Sequence, residues 1–404
     1  MSIRRLIAAL VLVLPSLSFA QAPQPANSVR KIVVFKRTVT PAGRIRVVVQ
    51  SGGTVTHDLR LIHAVAVTYP AKQFQLAEFG LRANADIERI DEDFPQNWLG
   101  GLPASLEDVR LPNVGEFLLP HGIRPMQDAT DPEQPWGILR VKAEAAWKVT
   151  RGAGVNVAVI DTGIDSGHPD LAANVKGGWN ATNPQAPDAF IDDNGHGSHV
   201  SGTIAAVRNS TGVVGVAPEA SLWGVKVLDA NGSGTFADVI AGIQWAAEHK
   251  MDVANMSLGA SRGNQALADA VTNATKAGMT IVAAAGYSGG SVGFPAAYPE
   301  CIAIAASDIR DGLAYFSSRG PEVALIAPGV DVKSTYMGGE YDTLSGTSMA
   351  TPHVVGLAAL AVAAKNVHGA AAIRKALVDA ATPLPGLTVE QQGAGFVDAS
   401  KLVQ

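Results

Sequence analysis

From about residue 135 onward, short apolar runs alternate with segments of helical periodicity. The runs are apolar on both faces, which is typical of strands in a parallel sheet that helices cover on each side. The six runs are VNVAVID, ASLWGVKVL, DVANMSL, MTIVAAA, CIAIAAS and EVALIAPG. The pattern therefore predicts an α/β domain with a mostly parallel central sheet. In such sheets ligands bind at the carboxyl ends of the strands, so we expect the functional residues there.

Residues 28–94 show a more compact alternation of strand-like and helical stretches. The order is β-α-β-β-α-β, which is that of a small ferredoxin-like α+β unit. Pro41 stands at the first turn of the first helix, where proline is favoured. Residues 95–130 are rich in proline and glycine and lack clear periodicity, which indicates a linker before a larger domain at 131–404.

The N-terminus has the composition of an export signal. An arginine pair at positions 4 and 5 precedes an apolar run at 6–14 and a small-x-small cleavage site at 18–20. The run is too short to span a bilayer comfortably. Residues 1–20 are therefore predicted to be a cleaved signal peptide, with ordinary secretion favoured over twin-arginine export. No other segment has the length and hydrophobicity of a transmembrane helix, so no membrane partner is expected.

Composition narrows the possible partners. The 404 residues are 47% hydrophobic and 17% charged, as in a folded globular protein. Residues 1–130 carry 14 basic and 11 acidic side chains, whereas residues 131–404 carry 17 basic and 25 acidic ones. The net charge of −8 on the larger part argues against nucleic acid as a partner. Cys301 is the single cysteine, which excludes a disulfide within the chain and a cysteine-based metal site.

Three polar motifs carry residue types that act together in nucleophilic catalysis. In AVIDTG a strand ends on Asp161, in NGHGSHV small residues surround His196 at a helix start that Asn194 could cap, and in SGTSMATPH Ser348 begins a long Ala/Leu-rich helix. A serine hydroxyl is a weak nucleophile until a base takes its proton, and that base needs a carboxylate to hold its tautomer. The positive end of the helix dipole near Ser348 would also favour an oxyanion.

The chain order Asp, His, Ser separates this set from other serine hydrolases. In lipase-type esterases the serine of the elbow comes first, and in the chymotrypsin order the histidine does. Any one motif alone could as readily be structural, since short motifs often match by chance. Their occurrence together, each beside glycines, favours a catalytic triad.

These motifs resemble those of the subtilisin-like serine protease (subtilase) family, and the resemblance extends from Gln134 to Gln404. It includes NSTGVVGVAP from residue 209, NMSLG from residue 255 and GAGFVD from residue 393. The resemblance implies a three-layer subtilisin-like fold and a serine endopeptidase of broad specificity. Asp161 would orient His196, the general base and then acid, while Ser348 would attack the peptide bond and form an acyl-enzyme.

The same resemblance implies a substrate cleft between two strands that pair with an extended peptide. One strand is Ser257-Leu258-Gly259, and the other is Gly232-Ser233-Gly234, with Phe236 near the outer pocket. Small residues would form the walls and the floor of the main specificity pocket, which leaves room for large apolar P1 side chains. The alternative is that these glycines only shape turns. The predicted pocket residues are Ala284, Ala285, Gly286 and Gly293.

One residue departs from the family pattern. After the run AAAG the family has an asparagine that donates to the tetrahedral oxyanion, whereas this chain has Tyr287, which cannot present an amide there. In subtilisin, loss of the corresponding donor lowers kcat by a factor of about 10²–10³. The Ser348 N–H would remain, and Ser288 could substitute. The rival hypothesis is therefore a catalytically impaired relative that binds peptides.

The resemblance also implies structural calcium at the loop from Val207 to Val213. The Asp170 carboxylate and the Asn209 side chain would bind it together with backbone carbonyls, and an all-oxygen set suits a hard cation. The carbonyls are those of Val207, Thr211 and Val213. A family glutamine near the mature N-terminus has no clear counterpart, and Gln134 or Asp131 could stand in. The alternative is an ordinary loop.

Residues 28–94 resemble the family's pro-segment, an intramolecular inhibitor and folding assistant that docks on helices of the catalytic domain. Its last strand would lead the chain through the cleft, with cleavage between Phe94 and Gln134. Such a template helps because a large parallel sheet has many non-local contacts and folds slowly. The alternative is a permanent accessory domain. The mature enzyme is expected to be a monomer that acts on peptides and proteins.

Overall fold

The computed structural model describes residues 28–100, 131 and 133–404. The predicted signal peptide at 1–20 and most of the predicted linker, 101–130, lie outside the described residues. The chain forms a small sheet unit, a larger α/β unit, and a short segment around residues 93–100 that runs from the first into a cleft of the second.

The small unit has the strand and helix order that the sequence predicts. Its four strands form one antiparallel sheet in the order β2-β3-β1-β4. The first helix begins at Pro41, as expected, and the Thr40 side chain accepts a hydrogen bond from Gly43 N at 3.2 Å. The elements are β1 Ser28–Phe35, α1 Pro41–Gln50, β2 Thr54–Leu59, β3 Ala64–Pro70, α2 Ala71–Ala83 and β4 Ile87–Glu92.

The beginning of the predicted linker is a strand. Pro95–Asn97 forms β5, which pairs antiparallel with Ser233–Thr235 of the larger unit. Proline and glycine content predicted a linker here, but Pro95 is the first residue of an edge pairing, a position that proline tolerates. Residues 95–97 of the predicted linker thus form a strand, which the sequence pattern did not indicate.

The larger unit is built on a nine-stranded sheet in the order β16-β17-β13-β12-β11-β10-β6-β8-β7. Every pairing in it is parallel except that of β16 with β17. All six apolar runs form strands of this sheet, which confirms the predicted fold class. The strands of the unit are β6 Asn156–Asp161, β7 Val175–Asn180, β8 Ser221–Lys226, β9 Ser233–Thr235, β10 Val253–Met256, β11 Thr280–Ala284, β12 Ile302–Ser307, β13 Val323–Pro328, β14 Val332–Tyr336, β15 Glu340–Leu344, β16 Ala381–Thr382 and β17 Phe396–Val397.

Helices cover both faces of this sheet, since every residue of β10, β11 and β12 is buried although side chains alternate between the faces. Among the described residues one helix, Thr347–Lys365, is long and apolar enough to cross a membrane, but 89% of its apolar window is buried inside the protein. It is the central helix of the core. The helices are α3 Trp136–Arg140, α4 Ala143–Ala146, α5 His196–Ala205, α6 Phe236–Glu248, α7 Gln265–Lys276, α8 Thr347–Lys365, α9 Ala370–Asp379, α10 Val389–Gln392 and α11 Ala399–Leu402.

The small unit docks on α6 and α7. Gln244 of α6 accepts a bond from Leu61 N at 2.8 Å and donates to Asp58 O at 3.0 Å, and Asn273 of α7 donates to Leu61 O at 2.9 Å. Asp93 reaches the first turn of α6, where its carboxylate accepts the Ala237 N–H at 2.9 Å. A carboxylate at a helix N-terminus is favourable because it meets free N–H groups and the positive end of the dipole.

Candidate active site

The structure brings two of the three predicted triad residues into direct contact. Asp161 is the last residue of β6, His196 is the first residue of α5, and His196 Nδ1 lies 2.8 Å from Asp161 Oδ1. Both side chains are buried, and Asp161 Oδ1 also accepts the Thr162 N–H at 2.8 Å. This arrangement leaves the Nε2 atom of His196 to exchange a proton with a reacting group. Among the described residues Nε2 has no hydrogen-bond partner.

Ser348 is the second residue of α8 and exchanges two hydrogen bonds with Ser257. Its Oγ donates to Ser257 O at 3.1 Å, and Ser257 Oγ donates to Ser348 O at 2.8 Å. The Ser348 carbonyl is available because Pro352, inside α8, has no N–H for the usual helical bond to it. The proline of the serine motif therefore frees a carbonyl that ties the serine to the predicted substrate strand.

A buried carboxylate holds the loop that carries His196. Asp192 Oδ1 accepts bonds from Gly195 N at 2.9 Å and Thr162 Oγ1 at 2.8 Å, and Oδ2 accepts Ser198 N at 2.8 Å. Gly195 is the N-cap residue of α5 and has no side chain, but Asn194 Oδ1 accepts the His196 N–H at 3.2 Å, so Asn194 contributes to capping as predicted. Asp192, three residues before Gly195, supplies the further bonds to Gly195 and Ser198, and it was not identified from the sequence.

Thr162 links the two halves of the His–Asp pair. Its backbone N–H donates to Asp161, and its Oγ1 accepts the Gly197 N–H from the first turn of α5 at 2.9 Å while donating to Asp192. A single buried side chain thus connects the end of β6 to the start of α5. It fixes the spacing on which the 2.8 Å bond between Asp161 and His196 depends.

Two other buried histidines have no free proton-transfer role. Burial lowers the pKa of His199 to about 3, with a smaller contribution from the charge of His196, and its Nε2 lies 3.0 Å from Val332 O. Burial likewise lowers the pKa of His353 to about 4. Both rings therefore stay neutral near neutral pH.

The predicted substrate cleft holds the chain's own segment. Gln96 and Asn97 lie opposite Gly234 and Ser233 in the β5–β9 pairing. Trp98 then donates its N–H to Gly232 O at 2.9 Å, and its carbonyl accepts the Gly259 N–H at 2.8 Å. An extended segment thus contacts both strands that were predicted to bind substrate.

The outer end of this cleft is filled by aromatic rings. The Trp98 side chain is buried, donates Nε1–H to Gly234 O at 3.0 Å and lies edge-on to Phe236 with 5.2 Å between ring centroids. Phe94 contacts Phe236 in the same way at 5.3 Å. Phe236 therefore lies beneath the bound segment, at the outer position that was predicted for it.

A cavity of about 310 Å³ opens beside Ser348. Leu258, Gly259, Ala284, Gly286 and Gly293 line it, as the predicted specificity pocket requires. Ala285 does not line it, because this residue is fully buried and its carbonyl accepts the Gly293 N–H at 2.9 Å.

Tyr287 lines the same cavity, and 43% of the residue is exposed. Ser288, which was considered as a substitute oxyanion donor, is engaged elsewhere. Its Oγ lies 3.2 Å from Ser318 Oγ and accepts the Gly290 N–H at 3.2 Å.

Two buried carboxylates contact the predicted calcium loop. Asp170 Oδ1 accepts from Asn209 Nδ2 at 2.9 Å, and Oδ2 accepts from Val213 N at 3.0 Å and Tyr341 Oη at 2.8 Å. Glu133 Oε1 accepts the Asn209 N–H at 2.7 Å. Burial, followed by the bond to Asp170 and the charges of Asp170 and Glu133, raises the pKa of Tyr341 to about 12.

These contacts test whether the loop fits a cation. Within the described ranges neither Asp170 nor Glu133 pairs with a basic side chain. Two buried carboxylates without a counter-charge are what the oxygen-lined site of a hard cation provides when the cation is absent. Against this, Asn209 Oδ1 accepts from Thr211 N at 3.0 Å and Thr211 Oγ1 at 2.7 Å. No cluster of three or more His, Cys, Asp or Glu side chains suited to a metal occurs in the part of the chain that the structure describes.

Three polar residues near the expected position of the family glutamine differ in their contact with this loop. Glu133 accepts the Asn209 N–H directly, and Asp131 reaches the loop through its pair with Arg208 at 2.9 Å. Gln134 bonds to Asp131 at 3.0 Å. Asp131 and Gln134 were named from the sequence as possible counterparts, whereas Glu133 was not.

Comparison with known proteins agrees with this geometry. The model of the subtilase family matches residues 152–395. Subtilisin E of Bacillus subtilis is 38% identical over 375 residues, which cover 90% of this chain and 88% of that protein. Subtilisin Savinase of Lederbergia lenta is 48% identical over 267 residues, which cover 66% of this chain and 97% of that protein. The chain therefore belongs to the subtilase family, and it is a serine endopeptidase, a hydrolase acting on peptide bonds.

The link through Thr162 generates a prediction. Thr162→Val should lower kcat about tenfold or more with little change in KM, because misplaced catalytic groups slow the chemical step rather than binding. Thr162→Ser keeps the hydroxyl and should retain most of the activity. Rates are to be normalised by active-site titration, so that loss of folded protein is not counted as slower chemistry. An unchanged kcat in the valine variant would show that this side chain does not position the pair.

Proposed function

We propose that this endopeptidase uses Asp161, His196 and Ser348 as its catalytic triad. Ser348 Oγ releases its bond to Ser257 O, transfers its proton to His196 Nε2 and attacks the carbonyl carbon of the peptide bond. Asp161 holds the ring through Nδ1 and stabilises the imidazolium. The proton then passes to the leaving amine, and water repeats the sequence on the acyl-enzyme. The buried 2.8 Å bond between Asp161 and His196 is the observation that carries this assignment.

Substrates bind as an extended strand between Gly232–Gly234 and Ser257–Gly259. Pairing through backbone atoms selects only weakly among substrate side chains, which supports broad specificity. The cavity beside Ser348 presents Leu258, Ala284 and two glycines, which supports a preference for large apolar P1 side chains. The developing oxyanion is stabilised by the Ser348 N–H and by the positive end of the α8 dipole.

The protein is made as a secreted, self-processed zymogen. Residues 1–20 direct export, and residues 28–94 act as an inhibitor that places the next residues, up to Gly100, in the cleft. Two observations support the inhibitor role: the docking on α6 and α7, and the Trp98 bonds to Gly232 and Gly259. The match to subtilisin E, over 90% of the chain, is longer than residues 131–404 and so includes part of the N-terminal region. Maturation cuts the chain between Phe94 and Gln134.

Replacement of the nucleophile tests this proposal. The Ser348→Ala variant should hydrolyse a chromogenic peptide at least about 10³-fold more slowly than the wild type, since the remaining groups give only residual catalysis. The variant should also remain a full-length precursor on a denaturing gel. Peptide hydrolysis or self-cleavage at the wild-type rate would exclude Ser348 as the nucleophile. A catalytically impaired, peptide-binding protein would show no hydrolysis in the wild type either.

Calcium binds at the loop around Asn209 and stabilises the fold. Asp170, the Asn209 side chain and the carbonyls of Val207, Thr211 and Val213 would hold it, and it would supply the charge that two buried carboxylates lack. Glu133 contributes the second of these charges.

Thermal unfolding tests the calcium proposal. A ligand that binds only the folded state stabilises it by mass action, by about 2.7 kcal/mol at a hundred times its Kd, so calcium should raise Tm above the value in chelator. Asp170→Asn should abolish that difference. Asp188→Asn, at an exposed carboxylate, serves as the control and should preserve it. Identical melting curves of the wild type in calcium and in chelator would show that this loop binds no stabilising calcium.

A further inference from the structure

Gly100 follows the paired stretch in the cleft and lies against Tyr287. A β-carbon on Gly100 would overlap the Oη and Cζ atoms of this tyrosine and come within 2.7 Å of its Cε1 atom. The φ angle of Gly100 is 42°, in the left-handed region that favours glycine. A side chain at this residue would therefore require the end of the Tyr287 ring to move.

The contact lies near the reacting atoms. Tyr287 and Ser348 line the same cavity, and so does Leu99, the residue before Gly100. A peptide that pairs with both cleft strands, as residues 96–98 do, passes Tyr287 two residues after its last bond to Gly259.

Hydrogen bonds hold the backbone on both sides of the contact. The Gly100 N–H donates to Asn97 Oδ1 at 2.7 Å. On the enzyme side, the backbone before Tyr287 is fixed because Gly286 N donates to Thr347 Oγ1 at 3.1 Å and Gly286 O accepts Ser318 N at 2.9 Å. A substrate side chain at this position would have to turn the tyrosine ring out of the cleft. The turn at Asn97 belongs to this segment, whereas Tyr287 is met by any peptide on the same path.

We infer that Tyr287 makes this enzyme selective for glycine at the substrate position that Gly100 occupies, directly after a residue that borders the apolar cavity. The aromatic ring, at a position where the family has an asparagine, sterically disfavours a β-carbon on the substrate residue. This inference rests on the proposed cleft and nucleophile. Tyr287 would then select the side chain of the substrate at a position where pairing through backbone atoms does not select.

The cut sites in a denatured cell lysate test the inference. Cleaved peptides are identified by mass spectrometry, and the glycine-to-alanine ratio at each position beside the cut is divided by the ratio in the lysate. A difference of one carbon in a tight site is worth about tenfold or more, so the wild type should show about tenfold enrichment at one fixed position. Tyr287→Phe, which keeps the ring, should show it too, and Tyr287→Ala should lose it.

Tyr315→Ala is the matched control, because Tyr315 is 66% exposed and lies outside the cavity lining. It should preserve the wild-type enrichment. A wild type without glycine enrichment at any position, or an enrichment that persists in Tyr287→Ala, would overturn the inference. If the wild type makes no cuts that depend on Ser348, the proposed function itself fails, and that result is distinct from cutting without glycine preference.

Discussion

The pairing of Pro95–Asn97 with Ser233–Thr235 joins the two units of this protein at the proposed substrate cleft. An edge strand presents unpaired N–H and C=O groups and accepts any extended chain that reaches it. The same property that would admit varied substrates admits the chain's own segment. Because the segment is tethered, its effective concentration at the cleft is high, on the order of millimolar, and the Trp98 side chain adds contacts to Gly234 and Phe236. The proposed cleavage of the tether would remove the advantage of tethering.

The parallel sheet explains why distant residues meet around this cleft. Asp161 ends β6, Ser257 follows β10 and Gly286 follows β11, and these three strands are neighbours in the sheet. Parallel neighbours end on the same edge, so their last residues come together there. Helix α8 completes the site because Pro352 frees the Ser348 carbonyl for Ser257.

Much of the fold could be predicted because it follows from continuous apolar runs and from local signals such as Pro41. Strand β7 could not, since its sequence VKGGWN has two central glycines and no apolar run. The role of Asp192 was missed because its bonds reach residues two to six positions along and Thr162, thirty residues back. Trp98 was hidden in a segment whose proline and glycine content resembles a linker. Its signal was a large aromatic residue shortly after the last predicted strand of the small unit, which ends at Asp93.

Amide hydrogen exchange measures the occupation of the cleft directly. The Ser348→Ala precursor would be compared with the mature enzyme, and exchange followed in peptides that cover residues 232–236 and 257–260. The Gly259 N–H donates to Trp98 in the precursor, so the account predicts slower exchange there and along β9, and faster exchange once the segment has been removed. Equal exchange in the two forms would contradict the claim that residues 95–98 occupy the substrate cleft.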